Sequence, residues 1–194
     1  MIKYPNGKIY SLEKQPIKKR KRIASAANRG MLFEDAINKS NEYYIKQNIA
    51  LINKRPTPIN VVHVDYSKGA RITDAYFEKQ STTDYNGVYQ GYYLDFEAKS
   101  TKIKTSFPLH NITVHQIKHL KGVINHGGIA FFLIEFYTRK EVYLLEAKYV
   151  IDCYGNSNRK SIAYDDVKKH GYLVPLKYMP RYDYLAIVKK HLIK

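Results

Sequence analysis

The sequence predicts an α/β domain with a mixed central sheet flanked by helices. Three observations predict it. The apolar run GIAFFLIEF at 128–136 is too short to cross a membrane and suits a buried strand. The segment YYLDFEAK at 92–99 alternates apolar and polar residues with period two, as a strand with one core face does. Helix-period segments are interleaved with such strands along the whole chain, and mixing of that kind around one core is the α/β pattern.

Taken in order, residues 1–28 read as a flexible basic arm. The first thirty residues hold nine basic side chains against Glu13 alone. Little periodicity accompanies them, so the arm is expected to order only on a partner. Its cluster Lys18, Lys19, Arg20, Lys21, Arg22, followed by Arg29, fits a phosphate-binding arm better than a localisation tag or a membrane patch. Residues 29–194 then form the folded domain. A helix is expected over 30–47, with Phe33, Ile37 and Tyr44 on the core stripe and Glu34 beside it. Glu34 by pattern alone is a solvated helical charge. A short strand at 49–53 is followed by Pro56 and Pro58. Two strand-like runs at 59–66 and 71–77 flank Ser67-Lys68-Gly69 and predict a hairpin; the pattern leaves open whether it packs or projects.

Tyr85-Asn86-Gly87 carries a turn signal ahead of the strand that ends at Lys99. A basic loop at 100–106 follows, with Lys102 and Lys104 as candidate phosphate contacts. A helix over 113–123 places Ile117, Leu120 and Ile124 inward. Strands at 129–136 and 142–145, and helices near 147–154, 165–170 and 183–191, complete the domain.

Composition narrows the function. The 194-residue chain carries a formal net charge of +16, more than solubility needs, and this calls for a polyanionic partner. Hydrophobic residues, at 44%, suffice for a true core. The single cysteine, Cys153, allows no internal disulfide and suits a reducing cytoplasm. The opening MIKYPNGKIYS has no apolar signal-peptide core, and no run is long enough to span a membrane.

The chemistry concentrates in residues 81–99. On the 92–99 strand, Tyr93, Asp95, Glu97 and Lys99 share one face, while Leu94, Phe96 and Ala98 share the apolar one. Asp84 returns beside them through the preceding connection. Two carboxylates with a lysine nearby can hold Mg²⁺ and stabilise a phosphate in transit, the set that phosphodiester hydrolysis needs. Asp95 reads first as an ion-pair partner for a nearby Arg or Lys. His115 and His119 stand at helical i, i+4 spacing, but no third ligand joins them, so a zinc site is not expected.

Several segments, NRGMLFEDAIN, KRPTPINVVHV, AYFEKQSTTDYNGVYQGYYLDFEAKSTKIKTSFPL and HQIKHLK, resemble the RecU Holliday junction resolvases over nearly the whole chain. That family belongs to the PD-(D/E)xK nuclease superfamily. The resemblance implies a restriction-endonuclease-like core and a homodimer that cuts four-way and branched DNA symmetrically with Mg²⁺, Mn²⁺ serving as a substitute. It also points to recombinase and branch-migration proteins as partners. It assigns Thr82, Asp84, Glu97 and Gln116 to the metal, Lys99 to the transition state, and an acidic role to Glu34. It makes the 59–77 hairpin, with Lys68 and Arg71 near its tip, a protruding stalk. Thr83 stands where the superfamily name has proline, as this family's own pattern does. Two other readings stay open: another nuclease on the same core, or a non-catalytic junction-binding or strand-annealing module.

Overall fold

The computed structural model describes residues 25–78 and 82–193; the basic cluster at 18–22 lies outside them. Helix α1, Ala26–Lys46, is capped by Ser25, whose hydroxyl accepts from the Asn28 amide. The helix therefore begins inside the span assigned to the arm. Arg29, counted above among the DNA contacts, is only 7% exposed and its charge reaches the Glu135 carboxylate. It serves the body of the fold, because the helix turns it inward.

Strands β1 (Leu51–Lys54), β2 (Ile59–Asp65), β3 (Arg71–Phe77), β4 (Tyr85–Tyr89), β5 (Tyr92–Thr101) and β6 (Ser106–Pro108) precede helix α2 (Val114–Asn125). Strands β7 (Ile129–Phe136) and β8 (Glu141–Glu146), helix α3 (Ala147–Gly155), β9 (Ser161–Ala163), helix α4 (Tyr164–His170), β10 (Tyr172–Leu173) and α5 (Tyr184–Ile187) follow. The last turn, Val188–Leu192, widens to π geometry. The central sheet runs β1-β4-β5-β7-β8-β10. Its pairs are antiparallel except β5 with β7, whose parallel pairing requires the crossover through α2. The sheet is thus mixed and central, as the sequence predicts.

Each face of the sheet has its own core. Phe33, Ile37 and Tyr44 of α1 pack with Leu94, Phe96, Phe131, Tyr184 and Leu185 on one side. Leu120 of α2, Phe132, Ile134, Leu145, Val150 and Val167 fill the other. Tyr85, Phe96 and Phe131 stack with centroids 4.9 and 4.6 Å apart, tying three adjacent strands together beneath β5.

Asn86-Gly87 is not a turn. Gly87 lies within β4, opposite Ile52, where a Cβ would come within 2.1 Å of the Leu51 carbonyl oxygen. The glycine allows β1 to approach. The reversal comes three residues later at Gln90 and Gly91, whose φ angles of 50° and 82° give the two-residue hairpin loop. Part of the expected loop after Lys99 is also ordered, with β5 running to Thr101 and β6 pairing with β9.

The 59–77 hairpin forms in the expected place. Every residue of β3 is exposed, and Phe77 and Tyr66 retain 75% and 74% of their surface. Most of the ribbon's surface stays in solvent.

Candidate active site

Strand β5 carries its polar row against α2. Glu97 is 1% exposed and Asp95 0%, so both carboxylates sit in a dry layer that would repel them without partners. Partners are supplied from three elements. The Asp84 backbone N–H donates to Glu97 Oε2 (3.1 Å), and Asp84 Oδ2 accepts from the Ala98 N–H (3.0 Å). Lys99 Nζ lies 2.6 Å from Glu97 Oε1, and the Gln116 amide nitrogen donates to the same oxygen at 2.5 Å. Asp84, Glu97, Lys99 and Gln116 therefore converge.

The electrostatics is that of two carboxylates in one site. Glu97 is pushed up to about 8, first by burial and next by Asp84 beside it. Asp84 is also raised, again chiefly by burial, and Glu34 adds to the push. Lys99 and the backbone donors oppose the shift without cancelling it.

Asp95 is settled differently. Its Oδ2 accepts from Arg55 Nη2 (2.5 Å) and the Tyr93 hydroxyl (2.9 Å), with His119 Nε2 at 2.9 Å, and its Oδ1 accepts from the Thr83 hydroxyl. Asp95 is the ion-pair partner that pattern suggests, and it ties β5, α2 and the two segments flanking the stalk into one unit. Thr83 is buried, while Thr82, two residues before Asp84, is half-buried.

Glu34 is not merely a solvated helical charge. Its carboxylate pairs with Lys54 of β1 at 2.7 Å and its field is felt by Asp84. The Tyr85 hydroxyl fixes that part of α1 by donating to Asn38 Oδ1 (2.9 Å) and the Glu34 carbonyl oxygen (3.2 Å). Lys54 and Arg55 are not singled out by sequence reasoning, and Thr83 is noted only for standing where the superfamily name has proline; each is one polar residue in a short segment, with no period to mark it. His119 is noticed only for its spacing from His115, and its partner is Asp95. Lys68 and Arg71 are exposed at the ribbon's far end, remote in sequence from the acids. Lys102 and Lys104 are exposed on a loop whose backbone is fastened by Thr138 and Arg139, which donate to the Lys102 and Lys104 carbonyls.

Gln116, which the resemblance assigns to the metal, is anchored at both ends of its amide. Its Oε1 accepts from the Thr113 N–H at 3.0 Å in a capping box that starts α2. That acceptor duty fixes which end of the amide is oxygen. The nitrogen therefore faces Glu97, so Gln116 holds the carboxylate in place here.

The residues present fit a hard divalent cation. A buried and a half-buried carboxylate that repel each other gain from one, and Mg²⁺ is usually held by one or two carboxylates plus water and substrate oxygens. Among the described residues no group of three or more His, Cys, Asp or Glu side chains could form an all-protein cage.

A mixed sheet with Glu97 and Lys99 on one central strand and Asp84 beside them defines a class: α/β proteins equipped for phosphodiester hydrolysis. Comparison with known proteins narrows it. Residues 28–190 match the family model "RecU: Recombination protein U". The chain is 50% identical to "Holliday junction resolvase RecU" of Geobacillus kaustophilus and 48% identical to that of Bacillus cytotoxicus, in each case over 96% of both chains. A solved structure of Hjc from Archaeoglobus fulgidus, described as a Holliday junction resolvase, covers 73% of this chain at 12% identity and a TM-score of 0.41, with 93% of its own length matched. The chain belongs to the RecU family.

Proposed function

We propose that the chain is a structure-specific endonuclease that resolves four-way DNA junctions, as a homodimer, by paired Mg²⁺-dependent hydrolysis of opposed strands. The observation that carries this reading is half-buried Asp84 beside buried Glu97, with Lys99 Nζ 2.6 Å from the Glu97 carboxylate. The relatives' names point to the same substrate, and the net charge of +16 supplies a polyanion-binding surface. Paired cuts on a pseudo-symmetric junction match a two-fold dimer, which presents two identical sites. Recombinase and branch-migration proteins are the expected partners. The cytoplasm is the expected compartment; among the described residues no helix is long and apolar enough to cross a membrane.

In this mechanism Asp84 and Glu97 hold the cation and Thr82 lends a hydroxyl at the mouth. Mg²⁺, or Mn²⁺ in its place, supplies charge neutralisation at the scissile phosphate and acidifies water. Lys99 donates N–H to the negative charge that builds on phosphorus. Gln116 keeps Glu97 aimed, and the Lys54–Glu34 pair sets the field at Asp84. Lys102 and Lys104, beyond the end of the acid-bearing row, grip the backbone, with Lys68 and Arg71 doing so at the stalk. The basic arm adds phosphate contacts.

The test is cleavage of an immobile four-way junction and of the matching linear duplex, with and without Mg²⁺. Symmetric cutting of the junction alone, dependent on Mg²⁺, is expected. Equal cutting of the duplex would favour another nuclease on this core, and binding without cutting a non-catalytic module.

A further inference from the structure

The row of polar side chains on β5 does not end at Asp95. Beyond it, next to Tyr93, a cleft of about 540 Å³ opens between the start of β5 and the second half of α2. Tyr93 lines it with a ring that is 40% exposed, and Lys118, His119 and His126 stand around it. Among the described residues no carboxylate lines it; Asp95 lies behind, engaged by its four donors. This lining suits an anion that carries a flat, apolar part, and not a cation.

Two glycines keep the space clear. Gly122 of α2 borders the cleft and has nothing within 4 Å of where its Cβ would be. A Cβ on Gly128 would come within 2.6 Å of Val123 Cγ1 and 3.2 Å of the Tyr93 ring. The volume falls within the range of small-ligand pockets. Four residues of strand separate Tyr93 from Glu97, or about 13 Å. A DNA strand whose phosphate lies at Asp84 and Glu97 therefore passes this opening within a few nucleotides.

We infer that the cleft takes one unstacked nucleotide of the strand being cut, its base against the Tyr93 ring and its phosphate at Lys118. A branch point offers bases with fewer stacking neighbours, and base–aromatic stacking tolerates any base. Tyr93 also bonds Asp95, which adjoins Glu97, so a seated base is coupled to the acid-bearing strand. The cleft would then help to decide which phosphate is presented for cutting. This inference rests on the junction-cutting reading above.

The test is a scan of four-way junctions carrying a single abasic site at successive positions near the cut, assayed with wild-type protein and with Gly122→Leu. Gly122 has open space around it, so leucine fills the cleft without displacing backbone. At one position within about three nucleotides of the cut, the abasic site should slow the wild type about tenfold, the scale of one stacked base. It should slow the already impaired Gly122→Leu protein no further, the non-additivity of two changes to one contact. Tyr93→Phe keeps the ring and loses only the hydroxyl, so it should retain the abasic-site effect; Tyr93→Leu should abolish it. If the wild type cuts junctions and every abasic position affects all four proteins alike, the cleft assignment falls alone. A wild type that cuts no junction overturns the junction reading and this inference together.

Discussion

Strand β5 and the β2–β3 ribbon obey opposite rules. The first is buried on both faces from Leu94 to Ala98 and carries charge there; the second is largely exposed on both faces and carries apolar and aromatic side chains. Glu97 and Asp95 keep 1% and 0% of their surface, whereas Phe77 keeps 75%. A buried carboxylate and an exposed phenylalanine both go against simple partitioning. In β5 the anomaly is met by partners: four donors on Asp95 and three on Glu97. In the ribbon, among the described residues, Phe77 and Tyr66 are left largely uncovered. Charge held in a dry layer is suited to chemistry, and apolar surface left in water is suited to a partner.

The sharpest way to break this contrast is to remove charge from β5. Glu97→Gln should lower junction cutting by about a thousandfold, measured as single-turnover rate, because the carboxylate proposed to hold the cation is lost. Junction affinity without divalent cation should stay within a few-fold. A variant that cuts at wild-type rate would remove Glu97 from the site.

Asp95→Ala should show the largest loss of stability. Arg55, His119, Tyr93 and Thr83 would lose a common acceptor in a dry layer, and breaking such a pair from one side costs about 3 kcal/mol or more. The midpoint of urea unfolding measures it. A change below about 0.5 kcal/mol would mean that water replaces the carboxylate and that the layer is wetter than its burial indicates.

The raised acids make a pH prediction. Glu97 titrates near 8 in the fold against an ordinary 4.5, so between those values the folded chain holds a proton that the unfolded chain has released. Its contribution to stability is fully present below about pH 4.5 and is lost as pH rises through about 8. The direction for Asp84 is the same. Metal-free wild type should therefore lose stability relative to Glu97→Gln across that window, by about 2–4 kcal/mol. Saturating Mg²⁺, which favours the ionised pair, should flatten the difference. Parallel curves for the two proteins would show that Glu97 is ionised throughout.

Much of this was readable in the sequence, and what was not has physical causes. Period-two alternation placed Asp95, Glu97 and Lys99 on one face because side-chain direction along a strand is fixed locally. The helical stripe of Phe33, Ile37 and Tyr44 was legible for the same reason. Lys54, Arg55 and Thr83 were not, since their roles depend on strands meeting across the sheet. Gly87 misled because glycine marks both turns and close approaches, and only the position of β1 decides between them. Gln116 was found by resemblance, yet its Oε1 is taken by the cap of α2, which no spacing reveals.

The smallest stability effect belongs to the ribbon, and it tests the contrast from the other side. Phe77→Ala removes a side chain that the fold barely covers, so unfolding should shift by no more than about 0.5 kcal/mol. If the ribbon's exposed surface serves DNA, the same change should lower the ratio of four-way junction to duplex affinity. Shortening the tip at 65–71 should lower it further, because Lys68 and Arg71 go with it. Affinity for duplex should change less than affinity for the junction in both cases. Equal losses on the two substrates would make the ribbon a general phosphate contact and leave shape selection to the body. A stability loss of about 2 kcal/mol from Phe77→Ala would instead mean that this surface is covered in solution, most simply by a second copy of the chain, and a concentration dependence of the unfolding midpoint would identify that cover.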